Sequence, residues 1–260
     1  MSITCVFDKY VLKWYENDVW EADNVPYEAE ISAIARIHSD FPCKFGIPRQ
    51  SGIVPELTAR IVFEPQFRDV NAVRGLEGFS HIWLIWQFSE ALMSSWSPTV
   101  RPPRLGGNER MGVFATRSPF RPNSLGLSCV KLERVELDGE DAPAIVVSGA
   151  DLMDGTPIFD IKPYVPYADS HPEAVSGFAP DSGESERLKV EIPAALLPLV
   201  PDEKLAALRA VLSADPRPRY HSDPGRIYGL PFAGLDVRFS VSDGVLTVTG
   251  IVPLGKGENQ

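Results

Sequence analysis

Proline and glycine interrupt this chain at short intervals, with 24 prolines and 20 glycines spread through 260 residues. Proline can continue neither a helix nor a central strand, and glycine marks turns. The chain is therefore confined to many short elements joined by turns, more β than helical. Period-two patterning agrees with this. Leu57 to Glu64 alternates, with Leu57, Ala59, Ile61 and Phe63 on one face and Thr58, Arg60, Val62 and Glu64 on the other. His81 to Phe88 (HIWLIWQF) is apolar on both faces, the pattern of a strand buried on both sides. Gly112–Thr116, Leu125–Leu137, Ala144–Gly149 and Pro157–Tyr164 are further expected strands. Short strands with little helix between them point to a barrel or a sandwich.

Four segments are expected. Residues 1–28 are acidic and aromatic (Trp14, Tyr15, Trp20, Tyr27) without a sustained period, and read as an N-terminal extension whose aromatics pack on a neighbouring surface. Strand signals begin at Ile31, so residues 29–170 form the main domain. The polar stretch around 171–185 reads as a linker, with a boundary near residue 185. Residues 186–260 then form a small α+β unit. In it Asp202 is an expected helix N-cap after Pro201, and Leu205, Leu208 and Leu212 mark one helical face. The helix should end near Asp215-Pro216, and Leu235–Val241 with Val245–Ile251 should form a hairpin around Ser242-Asp243-Gly244.

Cys5, Cys43 and Cys129 are isolated and odd in number, and the four histidines lack ligand spacing, so neither disulfides nor a metal are expected. No stretch reaches the length of a membrane span, and the N-terminus lacks a cationic start followed by an apolar run. A cytoplasmic protein without a membrane partner is expected. The formal charge of −10 argues mildly against nucleic acid. Its distribution argues the other way. Arg101, Arg104, Arg110, Arg117, Arg121 and Lys131 face the single Glu109 between Thr99 and Lys131, and Arg217, Arg219 and Arg226 form a second cluster.

The familiar nucleotide-binding and hydrolase motifs are missing: there is no G-x-G-x-x-G, P-loop, G-x-S-x-G or H-E-x-x-H. Three loop segments carry the chemistry instead. Arg101 to Ser128 (RPPRLGGNERMGVFATRSPFRPNSLGLS) mixes arginines able to grip carboxylate or phosphate with glycines such as Gly106 and Gly107 that admit close backbone approach. An ordinary exposed turn with surface arginines has the same composition. Asp151 to Ser170 (DLMDGTPIFDIKPYVPYADS) holds a turn at Asp154-Gly155-Thr156-Pro157, followed by Asp160 and Lys162 on one strand face. These acids are either turn and ion-pair residues or reactive carboxylates. Gly46-Ile47-Pro48-Arg49-Gln50 is a third loop or a plain strand connection.

Taken in order and spacing, GIPRQ, AVRGLEGFSHIWLI, the Arg101–Ser128 segment and DGTPIFDIKPYVPYADS resemble the TsaA-like family over about residues 31–170. Within it they resemble the tRNA methyltransferases that act on threonylcarbamoyladenosine beside the anticodon. The likeness continues more weakly through Asp215-Pro216-Arg217-Pro218-Arg219-Tyr220. The resemblance implies a mainly β (α+β) fold, with a β-barrel domain binding S-adenosyl-L-methionine, a smaller α+β C-terminal domain, and association as a homodimer. By position it implies cofactor contacts from Pro48, Arg49, Gln50, Ser89, Glu90, Arg117, Leu127, Ser148, Gly149, Ala150 and Asp151. Gly149 and Ala150 would admit the adenine, and Glu90 would receive the ammonium or the ribose hydroxyls.

The implied reaction methylates a nitrogen that bears a carbonyl substituent, a poor nucleophile until its proton leaves, so a nearby carboxylate is expected as base. Asp154 and Asp160 are the candidates. The anticodon loop of tRNA would meet Arg121, Lys162, Arg217, Arg219 and Tyr220. Two rival readings are a methyltransferase of the same family with another substrate, and a barrel that binds ligand or RNA without catalysis.

Overall fold

The computed structural model describes residues 5–7, 10–12, 29–92, 95–102, 105, 109–179, 187–217, 223 and 225–255. Residues 1–31 form one unit by themselves, containing an antiparallel hairpin of β1 (Cys5–Phe7) and β2 (Tyr10–Leu12). Trp14, Tyr15, Trp20 and Tyr27 lie outside the described residues.

In the second unit, residues 32–260, the first strands are β3 (Ala35–His38), β4 (Thr58–Phe63) and β5 (His81–Gln87). A small pair follows, β6 (Thr99–Val100) with β7 (Met111–Gly112), and then β8 (Leu125–Glu136), β9 (Ala144–Ser148) and β10 (Pro157–Pro163). Six of these close into a barrel in the order β10-β3-β4-β9-β8-β5, every pairing antiparallel. Alternate residues of each strand point inward. Ile37, Ile61, Ile82, Leu84, Ile145, Val147 and Ile158 are fully buried there. Each such side chain contributes roughly 1.5–3 kcal/mol by leaving water. A barrel this small is filled by its own side chains, so a ligand must bind at its ends or outside.

Two sequence expectations are corrected here. His81–Phe88 is not buried on both faces: Ile82, Leu84 and Trp86 point into the core, while His81, Trp83, Ile85 and Gln87 are half-exposed outside. An antiparallel barrel has only one core face, and the outward apolar surface is partly covered by Tyr164, whose ring lies 5.8 Å from that of Trp83. Gly112–Thr116 is not one strand. Met111–Gly112 is followed by a 3-10 turn over Val113–Ala115, because the Thr116 hydroxyl donates to the Val113 carbonyl at 2.9 Å and its N–H does so at 3.1 Å.

Antiparallel closure has a consequence for the loops. β3, β9 and β5 end at the same rim of the barrel where β4, β10 and β8 begin. Three connections therefore share that rim: residues 39–57, 149–156 and 88–124.

The C-terminal part has a four-stranded sheet in the order β11 (Lys189–Glu191), β14 (Val245–Pro253), β13 (Leu235–Ser242) and β12 (Tyr228–Phe232), with only the β11–β14 pair parallel. A short helix, α1 (Pro166–Asp169), follows the barrel, and α2 (Asp202–Ser213) belongs to the C-terminal core through Ala207, Leu208, Val211 and Leu212. Asp202 is the first helical residue rather than the N-cap. Pro201 holds the cap position, and Asp202 and Glu203 meet the helix dipole from within the first turn. The helix stops at Ala214, after which Asp215 adopts φ 54° and Pro216 bars continuation. The expected hairpin turns at Asp243-Gly244, with φ 50° and 75°, the two left-handed positions of a tight two-residue turn.

The 39–57 loop ties the barrel to this sheet. Phe41, Val54 and Leu57 are buried in the C-terminal core, with the Phe41 ring edge-on to Phe232 at 5.5 Å. Lys204 of α2 grips both oxygens of Asp40, at 2.7 and 2.8 Å, and Ala233 N–H donates to the Asp40 carbonyl at 2.9 Å.

Candidate cofactor and substrate site

The shared rim gathers most of the expected cofactor residues. Pro48, Arg49 and Gln50 come from the 39–57 loop, Ser89, Glu90 and Arg117 from the 88–124 loop, and Gly149, Ala150 and Asp151 from the 149–156 loop, with Ser148 ending β9. The first two loops meet where the Arg117 guanidinium donates to the Gln50 side-chain carbonyl, and Gln50 Nε2 donates in turn to the Arg49 carbonyl at 2.6 Å. Ser89 and Glu90 are exposed.

Asp151 is the most constrained of the group. Its Oδ1 accepts from the Ser128 hydroxyl at 2.6 Å. Burial pushes its pKa up, opposed by the Ser128 hydrogen bond, by the backbone N–H groups of Asp151 and Ser51, and by the charge of Arg117. A partly buried carboxylate beside an arginine at a loop junction has the character of a ligand site.

Other expected residues have different surroundings. Gly149 adopts φ 72°, and a Cβ there would lie 3.2 Å from Gly52 Cα and N, so its close approach is to Gly52 rather than to an adenine. Ala150 is buried with the barrel core. Ser148 is buried and donates to Glu133 Oε1 at 2.6 Å, the first of the contacts that lower the Glu133 pKa.

Leu127 sits on the outer face of β8, 58% exposed. Strand register sets Asp160, Ile85 and Leu127 in one row across β10, β5 and β8, with Lys162, Trp83 and Cys129 in the next. Lys162 Nζ pairs with Asp160 Oδ2 at 2.9 Å, and Asp160 Oδ1 accepts from Ile161 N–H at 2.9 Å. Asp154 lies away from that row. Its Oδ1 accepts from Ser39 N–H at 3.1 Å and is 3.3 Å from His38 Nδ1, so it bridges to the end of β3. It also lines an open cleft with Asp40, Glu203 and Lys204 that contains none of the expected cofactor residues.

Of the expected tRNA contacts, Arg121 is half-buried and donates to the Thr116 carbonyl at 3.1 Å. Arg217 forms a two-pronged bond with Asp215, at 2.8 Å on each side. Burial disfavours the charged form of Asp215, but Arg217 and then the charge of Arg49 outweigh it and lower its pKa. The Asp215-Pro216-Arg217 element is thus electrostatically coupled to Arg49 of the 39–57 loop. Arg219 and Tyr220 lie outside the described residues, as do Arg104, Gly106 and Gly107.

Sequence reasoning missed two features. Trp96, Phe114 and Phe120 are 52%, 72% and 51% exposed in the arginine-rich loop, with the Trp96 and Phe114 rings 6.1 Å apart. Aromatics interleaved with arginines were a readable signal for stacking. Ser128, an inward hydroxyl in an otherwise apolar strand face, was the other. Among the described residues, no group of His, Cys, Asp and Glu could hold a metal, and no helix is long and apolar enough to cross a membrane.

Comparison with known proteins agrees with this architecture. Residues 36–170 match the tRNA-methyltransferase O N-terminal domain, and residues 187–254 match the TrmO C-terminal domain. A tRNA (adenine(37)-N6)-methyltransferase of Escherichia coli K12 is 39% identical over 231 residues, 86% of this chain and 98% of that protein. One from Eikenella corrodens is 45% identical over 176 residues, covering 67% of this chain and 97% of its own. The crystal structure of TrmO from Pseudomonas aeruginosa superposes with a TM-score of 0.70 at 34% identity, over 87% of this chain and 99% of the other. With both domain models matched in order and this fold shared, the chain belongs to the tRNA-methyltransferase O family.

Proposed function

We propose that the protein transfers a methyl group from S-adenosyl-L-methionine to the exocyclic N6 of the adenine beside the tRNA anticodon, with threonylcarbamoyladenosine as the acceptor. The observation that carries this reading is the convergence of three loops at one barrel rim, in a chain of this family. The residue chemistry suits the cofactor. Arg117 and Arg49 complement its carboxylate, whereas Asp151 and Glu90 complement its ammonium and hydroxyls. Pro48, Gln50, Ser89 and Leu127 would add apolar and polar contacts, and Ser148, Gly149 and Ala150 would hold the loop that presents Asp151.

When bound, the cofactor supplies an electrophilic methyl group. The protein's part is to hold the acceptor nitrogen in line and to take its proton. Asp160 is the preferred base of the two candidates, because it shares the outer row with Leu127. Asp154, bridging to Ser39 and His38, is second. The anticodon loop would stack on Trp96, Phe114 and Phe120, with Arg121, Lys162, Arg217, Arg219 and Tyr220 gripping backbone or substituent. Association as a homodimer and a cytoplasmic location complete this reading.

The test is methyl incorporation from labelled S-adenosyl-L-methionine into tRNA with and without the threonylcarbamoyl group. Incorporation only into the modified tRNA supports both reaction and acceptor. Cofactor binding without incorporation into either would reject this substrate.

A further inference from the structure

A polar chain runs from the otherwise apolar inward face of β5 and β8 to the rim, through Trp86, Ser128 and Asp151. Trp86 and Ser128 both point inward, 6% and 1% exposed, and Trp86 Nε1 donates to Ser128 Oγ at 3.0 Å. Ser128 Oγ is in turn 2.6 Å from Asp151 Oδ1 at the rim. Trp86 lies flat over Gly126, its partner on β8, where a Cβ would come within 2.3 Å of the indole. The ring is further fixed by Phe88, edge-on at 4.3 Å.

Hydrogen accounting gives this chain a direction. An indole N–H can only donate, so the Ser128 oxygen accepts from Trp86 and its own hydrogen turns to Asp151. All three groups are satisfied when Asp151 Oδ1 is the acceptor. A protonated Asp151 donating to Ser128 would leave the serine hydrogen without a partner in the barrel interior, a costly arrangement. Replacing Ser128 alone would strand the Trp86 indole N–H in the barrel, whereas replacing Trp86 and Ser128 together removes that orphan and leaves Asp151 without its hydroxyl donor.

We propose that Trp86 and Ser128, seated by Gly126, are positioning residues that hold the Asp151 carboxylate as an oriented hydrogen-bond acceptor for the cofactor. This rests on the reading above that Asp151 lines the cofactor site. The device takes the place of solvent: it supplies an oriented O–H to a carboxylate whose burial otherwise favours the neutral form. Arg117 is the charged group facing Asp151 among the described residues, and its contribution is the weakest of those that favour ionisation.

The experiment is calorimetric titration of the full-length protein with S-adenosyl-L-methionine across its acid limb, with melting temperature measured in parallel. The variants are Ser128→Ala, Ser128→Thr, Asp151→Asn and the double variant Trp86→Phe/Ser128→Ala. Ser128→Ala and the double variant should weaken binding by about tenfold or more, as expected for a lost hydrogen bond to a charged group. Their half-maximal binding should also move to higher pH, because removing a contact that favours ionisation raises the Asp151 pKa. Ser128→Thr, which keeps the hydroxyl, should restore both affinity and pH limb. The double variant should melt closer to the parent than Ser128→Ala, because it leaves no orphaned indole N–H, while losing affinity to the same extent, which separates positioning from folding. If Asp151→Asn weakens binding while Ser128→Ala and the double variant keep the parent's affinity and pH limb, the positioning role is overturned and the site reading stands. Parental affinity in Asp151→Asn would overturn the site reading itself, and the proposal with it.

Discussion

The Gly52 N–H donates to the carbonyl of Gly149 at 2.8 Å, and a Cβ on Gly149 would crowd the Gly52 backbone. This contact fastens the 39–57 loop to the end of β9, and with it the Pro48-Arg49-Gln50 segment. Gly149→Ala has to place a Cβ 3.2 Å from Gly52 while keeping φ at 72°. Destabilisation of about 1–3 kcal/mol is expected from the left-handed backbone alone, measured by urea unfolding. Because the strain falls on the loop junction, cofactor affinity should fall as well.

Phe41 carries the same loop into the C-terminal core, where it is 1% exposed against Phe232. Truncation to alanine should cost about 3–5 kcal/mol, the range for a buried aromatic leaving a cavity. An unfolding curve with an unchanged midpoint would show that the loop is not held there.

On the outer wall, Arg60 of β4 bonds Glu136 at 2.8 Å and Asp141 at 3.2 Å, while Arg134 and Arg68 extend the network. The Arg60 hydrogen bond, then that of Arg134, lowers the Glu136 pKa from 4.5. A depressed carboxylate stabilises the fold above its unfolded pKa, and that contribution disappears as pH falls through the folded value. Glu136→Gln should therefore lose less than about 1 kcal/mol at neutral pH, given the partial exposure of the pair. The gap from the parent should close in acid. A pH-independent gap would contradict the pairing.

Asp154 and Asp160 separate by which property each substitution changes. Asp154→Ala removes the acceptor for Ser39 N–H and should cost about 0.5–1.5 kcal/mol, whereas Asp154→Asn keeps an acceptor oxygen and should melt closer to the parent. Asp160→Asn should lose turnover while keeping cofactor affinity and melting temperature. Near-normal turnover with a lower melting temperature would leave Asp160 as the ion-pair partner of Lys162 alone.

Some of this protein was readable locally. The period of two in Leu57–Glu64 and Leu125–Leu137, the turn at Asp243-Gly244 and the Asp160–Lys162 pair depend on residues within a few positions of one another, where backbone geometry decides contact. The motif order from GIPRQ to DGTPIFDIKPY was equally visible, and with it the family. Tertiary structure alone decided which faces became interior. His81–Phe88 looked the same on both sides, and barrel closure chose Ile82, Leu84 and Trp86 for the core. It alone brought Ser128 to Asp151, Gly52 to Gly149 and Phe41 to Phe232. The reason is register: alternation tells which residues of a strand share a face, but not which strand lies beside it or how far it is shifted. Those are set when six strands close on one packed interior, and the three loops share a rim only after that closure.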